Sequence, residues 1–163
     1  MKKYENLTIK NVGEKVTING WVSKVRNLGG VIFIDLRNRT GIVQVVVNPG
    51  KKYYELANTL KAEYVIKVYG TIVERVNKNK KISSGEIEIN VEDLELINKS
   101  KEVPFQIEND TNSLEDTRLK YRYLDLRREV LQSNFILRSK ITFAARKFLN
   151  NLDFLEVETP VLC

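Results

Sequence analysis

Five polar or aromatic residues, Phe33, Gln44, Lys67, Arg75 and Glu88, fall out of phase with the apolar residues around them. An aromatic ring on an open face gives a nucleobase a surface to stack on, at about 1–3 kcal/mol per base. Gln and Glu beside it offer amide and carboxylate groups to a base edge. Arg26, Arg75 and Lys78 offer cations to phosphates or bases. The same residues also suit a Phe33 packed under a loop and a sheet face that is merely solvated. Two basic clusters flank this set: Lys24, Arg26, Arg37 and Arg39 against Asp35, and Arg75, Lys78, Lys80 and Lys81 against Glu74. Each alone reads as a solvated loop. With an exposed ring between them they favour a polyanion partner.

Other chemistry is poorly supplied. There is no His, which excludes Ser-His-Asp and Cys-His sets and a His general base. The one Cys is Cys163, so no intrachain disulfide forms and a cytoplasmic location is expected. Glu156 and Glu158 project to one face of a strand, as an acid–base or metal pair would, but nothing else converges on them. No GxxxxGKS/T or GxGxxG phosphate loop occurs. No metal or cofactor is expected on this chain. The opening MKKYENLTIK has no apolar run, and no stretch approaches the ~20 apolar residues of a membrane span, so no membrane partner is expected. The 27 Lys and Arg against 21 Asp and Glu give a net +6, compatible with nucleic acid.

The elements that must hold these residues are mostly strands. Period-two alternation sets Val16, Ile18 and Val22 on one face of 16–26, and Ile32, Ile34 and Leu36 on one face of 31–37. Val43, Val45 and Val47 in 41–48, Ile66, Val68 and Ile72 in 64–76, and Ile87, Ile89 and Val91 in 85–97 repeat the pattern. Between the third and fourth strands, Tyr53, Leu56, Ala57 and Leu60 recur at helical spacing over 51–63. Three strands, a helix and two strands is the order of a five-stranded OB-fold barrel. Arg26 has core parity in its strand, so a bulge or strand end near Val25 is needed to turn it outward.

Near residue 98 the pattern changes. Residues 98–117 are polar and aperiodic, with Pro104. RLKYRYLDLRR (118–128) suits either phosphate contacts through Arg118, Lys120, Arg122, Arg127 and Arg128 or a packed hinge with Tyr121, Tyr123, Leu124 and Leu126 inward. The interleaving of apolar and charged residues favours the hinge. Leu137, Ile141, Ala144 or Ala145, Phe148 and Leu152 mark one face of a helix over 133–152, with Ser133 as N-cap. FLEVETPVLC (154–163) reads as a strand. The expected division is a barrel over 1–103, a linker and hinge over 104–132, and the truncated start of another domain over 133–163.

Taken together and in order, GWVSKVRNLGGVIFIDLRNRTGIVQVVVNP, GEIEI, RLKYRYLDLRR and FLEVETPVL resemble the N-terminal third of bacterial-type aspartyl-tRNA synthetases. The resemblance runs over essentially the whole chain. Lysyl- and asparaginyl-tRNA synthetases share the barrel and a related FLEVETP segment. The resemblance implies an anticodon-binding OB domain, a hinge, and the opening helix and strand of a class II catalytic domain. It implies that Phe33 stacks on the middle anticodon base and that Arg26, Leu28, Gln44, Arg75, Asn79 and Glu88 line the other anticodon pockets. It also implies that the helix and the strand through Phe154, Glu158 and Pro160 form class II motif 1 at a homodimer interface. ATP and Mg²⁺ would serve a parent aspartate–tRNA ligase through motifs 2 and 3, none of whose catalytic residues lies in this chain, so the fragment alone is expected to be inactive. The chain departs from relatives at Ser23-Lys24-Val25-Arg26, at Glu129 and in a shortened 77–84 loop. A standalone single-strand-binding barrel is the alternative, as is the same fragment of a lysyl or asparaginyl enzyme.

Overall fold

The computed structural model describes residues 4–162. The chain divides into two compact units, 1–103 and 104–163. The first holds β1 (Lys15–Leu28), β2 (Val31–Asn38), β3 (Gly41–Val47), α1 (Tyr54–Asn58), β4 (Val65–Glu74) and β5 (Ile87–Asn98), after two short 3-10 turns. The strands close into a barrel in the order β1-β2-β3-β5-β4, with β4 returning to β1. Among the described strands only β3 and β5 run parallel. This is the expected five-stranded OB-fold.

Alternation decides the core. Val16, Ile18, Val22, Ile32, Ile34, Leu36, Val43, Val45, Val47, Ile66, Val68, Ile72, Ile87, Ile89 and Val91 are all buried in one cluster. They are the inward set that the period-two pattern selects. Tyr4 seals one end. Its ring is buried and its hydroxyl donates to the Asn19 carbonyl at 2.7 Å. Tyr53, Ala57 and Leu60 are buried against the same cluster, so their spacing was meaningful, but only 54–58 is α-helical. The expected helix over 51–63 stops at Asn58, where the Thr59 hydroxyl donates to the Leu56 carbonyl at 2.8 Å, and further on Glu63 takes φ 65° with its carboxylate on Arg37. Arg37 Nη2 donates to both Glu63 oxygens at 2.7 and 2.9 Å, and Glu63 is buried.

The β1–β2 connection is a two-residue turn. Gly29 and Gly30 both have positive φ, at 60° and 84°, as a hairpin turn matched to strand twist demands. The Tyr54 hydroxyl on α1 donates to the Gly30 carbonyl at 2.8 Å and braces this turn.

The second unit holds α2 (Glu115–Lys120), α3 (Arg122–Asp125) and α4 (Glu129–Asn150). Asp125 is buried and accepts from Arg122 at 3.0 Å and from Arg128 at 2.7 Å. That clamp engages Arg122 and Arg128 with a carboxylate of the chain's own. Leu124 is buried, but Tyr123 is 66% exposed, against the expected inward orientation. The Arg122-to-Asp125 helical turn points Leu124 and Asp125 inward and leaves Tyr123 on its open side.

Helix α4 begins at Glu129, not after Ser133. Its first turn is served from a distance: the Asn109 side-chain oxygen accepts from the Val130 amide at 3.2 Å. Ser133 lies inside the helix and donates to the Glu129 and Val130 carbonyls at 2.9 Å each. The helix ends where Asp153 takes φ 62° and the Phe154 amide reaches back to the Leu149 carbonyl at 3.1 Å. The expected strand over 154–163 is not formed. Residues 154–162 make no ladder with any described strand, and a strand exists only with a partner for its N–H and C=O groups. Cys163 lies outside the described residues.

Candidate nucleic-acid interface

The outer face of β1, β2, β3 and β5 gathers most of the candidate residues, and a bulge in β1 makes it possible. The β1–β2 register shifts between Val22 and Lys24: Val22 pairs with Leu36, but Lys24 pairs with Asp35. Ser23 is the extra residue. From there on the parity of β1 inverts, so Val25 faces Ile34 inward and Arg26 faces Phe33 outward. The irregularity required for Arg26 therefore exists, two residues ahead of Val25.

Two rows cross this face. One carries Arg26, Phe33, Val46 and Asn90, paired in turn across β1, β2, β3 and β5. The next carries Asp35, Gln44 and Glu88 on β2, β3 and β5. Phe33 is half-buried, standing out of phase with the buried Ile32 and Ile34.

The polar side chains link up. Arg26 Nη2 donates to Asp35 Oδ1 at 2.7 Å and, more weakly, to Gln44 Oε1 at 3.4 Å. Gln44 Nε2 donates to Glu88 Oε2 at 2.8 Å. Gln44 is only 4% exposed. With Arg26 on its oxygen side and Glu88 on its nitrogen side, its amide is held in one orientation. A held amide can discriminate a donor from an acceptor on a ligand edge, because a freely flipping one satisfies both. Beside this chain, Asn48 donates to Asn90 at 2.9 Å.

The remaining candidates lie around this centre. Leu28 is 63% exposed beside the Gly29–Gly30 turn, on the same outward parity as Arg26. Arg75 is half-buried just after β4, its amide bonded to the Glu86 carbonyl at 2.9 Å. Asn79 sits in a loop that closes on itself: its amide donates to the Gly85 carbonyl at 2.9 Å and its Oδ1 accepts from the Lys81 amide at 3.0 Å. The Ser84 hydroxyl ties that loop to the Ile42 carbonyl at the start of β3. Lys78 pairs with Glu74 at 2.9 Å, and that hydrogen bond pushes its amine pKa up.

Lys67 does not join the set. It pairs with Asn19 on β1 and Glu95 on β5, and its ammonium meets the Glu95 carboxylate at 3.4 Å. Strand parity placed it outward, but barrel closure puts it in a different row from Phe33. Conversely, Asp35 belongs to the network although only its outward parity was legible in the sequence. Among the described residues no group of three or more His, Cys, Asp or Glu could hold a metal ion. Among them, no helix is long and apolar enough to cross a membrane.

Of the motif 1 candidates, Phe154 is 64% exposed, and Glu158 and Pro160 are exposed in the segment beyond α4. On α4 itself Leu137, Ile141 and Phe148 are more than half exposed.

Comparison with known proteins agrees with the barrel fold. Residues 16–97 match the OB-fold nucleic acid binding domain family, and residues 114–163 match the class II tRNA synthetases of the D, K and N group. The aspartate–tRNA ligase of Mycoplasma capricolum subsp. capricolum is 53% identical over 94% of this chain, which covers 26% of that protein. The aspartate–tRNA ligase of Oceanobacillus iheyensis is 51% identical over 96% of the chain, which covers 27% of it. The chain thus spans about a quarter of the length of these relatives. Among solved structures, asparaginyl-tRNA synthetase from Pyrococcus horikoshii complexed with asparaginyl-adenylate aligns with TM-score 0.83 at 28% identity, over 98% of this chain and 36% of that one.

Proposed function

The chain belongs to the OB-fold nucleic acid binding domain family, and from that premise we propose that its barrel reads the anticodon loop of a tRNA within an aspartate–tRNA ligase. The observation that carries the reading is the patch itself: a ring on Phe33 beside a held Arg26–Gln44–Glu88 chain. Identity above half to an aspartate–tRNA ligase over nearly the whole chain supports the choice of enzyme. Phe33 stacks on a base. Gln44, Glu88 and Arg26 meet base edges, while Leu28, Arg75 and Asn79 border the site.

The division into a barrel over 1–103, a hinge over 104–132 and a catalytic-domain start over 133–163 belongs to the same proposal. So does a homodimer interface at α4 and Phe154, Glu158 and Pro160, where exposed apolar side chains would be covered by a second subunit. The parent would activate aspartate with ATP and Mg²⁺ in the cytoplasm.

The test is a titration of this 163-residue chain with a tRNA(Asp) transcript and with transcripts of altered anticodon. Tighter binding to the unaltered transcript is expected. Equal binding to all of them, with generic single-stranded DNA bound as well, would return the barrel to an unspecific strand binder.

A further inference from the structure

Arg26 reaches the outer face only because Ser23 is bulged, yet the bulge fixes a direction and not a position. A guanidinium at the end of a long side chain needs its own anchor to act as a reading group. Its contacts identify that anchor. Arg26 Nε is buried and has no hydrogen-bond partner among the described residues. Its Nη2 reaches Gln44 only at 3.4 Å. The short contact is to Asp35 at 2.7 Å, with side-chain exposures of 36% for Arg26 and 24% for Asp35.

We propose that Asp35 is a positioning residue for specificity: it holds the Arg26 guanidinium against Gln44, and through Gln44 and Glu88 it sets which base edge the face accepts. This rests on the anticodon reading above. Asp35 need not touch the ligand. Its carboxylate offsets the Arg26 charge, so Arg26 serves as a directed donor to a base edge more than as a phosphate counterion. With the anchor gone, Arg26 becomes a mobile surface cation. Its contact with the Gln44 oxygen is then lost, leaving Glu88 alone to orient that amide, and the Arg26 donors no longer stand at a fixed place beside it. The signature is loss of discrimination without loss of general affinity.

The experiment uses the 163-residue chain with Asp35→Asn, Asp35→Glu, Arg26→Ala and the Asp35→Asn/Arg26→Ala double variant. Each is titrated with the tRNA(Asp) transcript and with one altered at a single anticodon base, and each is melted to check its fold. Asp35→Asn is expected to reduce the ratio of the two affinities about tenfold, the scale of one well-placed polar contact to a base. Affinity for the altered transcript should hold or rise, since a negative charge has been removed. Asp35→Glu should recover part of the ratio, and the double variant should be no worse than Arg26→Ala. An unchanged ratio in Asp35→Asn while Arg26→Ala loses it overturns the inference and leaves the anticodon reading standing. So do additive losses in the double variant, or an equal fall in both affinities. If even the unsubstituted chain fails to distinguish the transcripts, the anticodon reading itself has failed.

Discussion

Phe33 and Tyr4 show how two aromatic residues in one barrel come to do different work. Phe33 lies on outward parity and keeps part of its ring open, so on the proposed reading it stacks on a base. Phe33→Ala should weaken tRNA(Asp) binding by about 1–3 kcal/mol while leaving the melting temperature nearly unchanged. A loss of both together in a filter-binding and melting series would mean the ring is core packing instead. Tyr4 is fully buried, and burial pushes its phenol pKa well above the ordinary value. The folded state therefore keeps the proton when an unfolded phenol, near pKa ~10, has lost it. Its contribution is complete below pH ~10 and is lost progressively as the pH rises further, because the unfolded chain then binds fewer protons. Tyr4→Phe should cost about 1 kcal/mol at neutral pH through the lost bond to Asn19, and should flatten the alkaline fall in stability. Parallel alkaline denaturation curves for parent and variant would assign that fall to other groups.

Among the elements, β1 carries the decisive irregularity. Before Ser23 the even-numbered residues point inward, and after it the odd-numbered Val25 does. Deleting Ser23 leaves Lys24 opposite Asp35 in a regular ladder, with Val25 still inward and Arg26 still outward. Deleting Ser23 and Lys24 together inverts the strand beyond Val22: either Arg26 is then driven toward the core and Val25 outward, or the strand slips against β2. An uncompensated charge brought inside costs about 3 kcal/mol or more. The double deletion should thus lower stability by at least that amount in urea, whereas deleting Ser23 alone should stay within about 1 kcal/mol of the parent. A double deletion as stable as the single one would show that the parity of this strand is not what the core depends on. Helix α4 makes the complementary point. Its start is set by Asn109 and by the Asp125–Arg128 pair, not by the Ser four residues inside it.

Across the molecule, the net charge of +6 is unevenly employed. Arg37 is spent on buried Glu63, Arg26 on Asp35, and Arg122 and Arg128 on Asp125. Lys80 and Lys81 are exposed on the 77–84 loop, beside the site. On the proposed reading these lysines meet phosphates. The logarithm of tRNA affinity should fall linearly with the logarithm of salt concentration, by about 0.7 per contact with single-stranded phosphate. Lys80→Ala/Lys81→Ala should make that slope shallower and leave the anticodon ratio intact. A steeper ratio loss than slope change would move the two lysines from backbone contact to base reading.

Much of this was local in origin and so was legible in the residues alone. Period-two alternation over five segments settles which side chains are inward, because successive side chains of a strand must point to opposite faces. With the helical spacing between the third and fourth segments, that suffices for a closed OB barrel and for placing Phe33, Gln44 and Glu88 outward. Pairing is not local, and it decided the rest. The Ser23 bulge exists only relative to β2, and it alone turns Arg26 outward. Lys67 shares a parity with Phe33 but not a row, since rows are set by neighbouring strands. Residues 154–162 have strand alternation and no ladder partner among the described strands. Asp35 meets Arg26 across a ladder, where a 2.7 Å contact is made between residues nine apart in the chain. Alternation fixes the face on which a side chain stands, and only the paired strands decide which side chain it meets there.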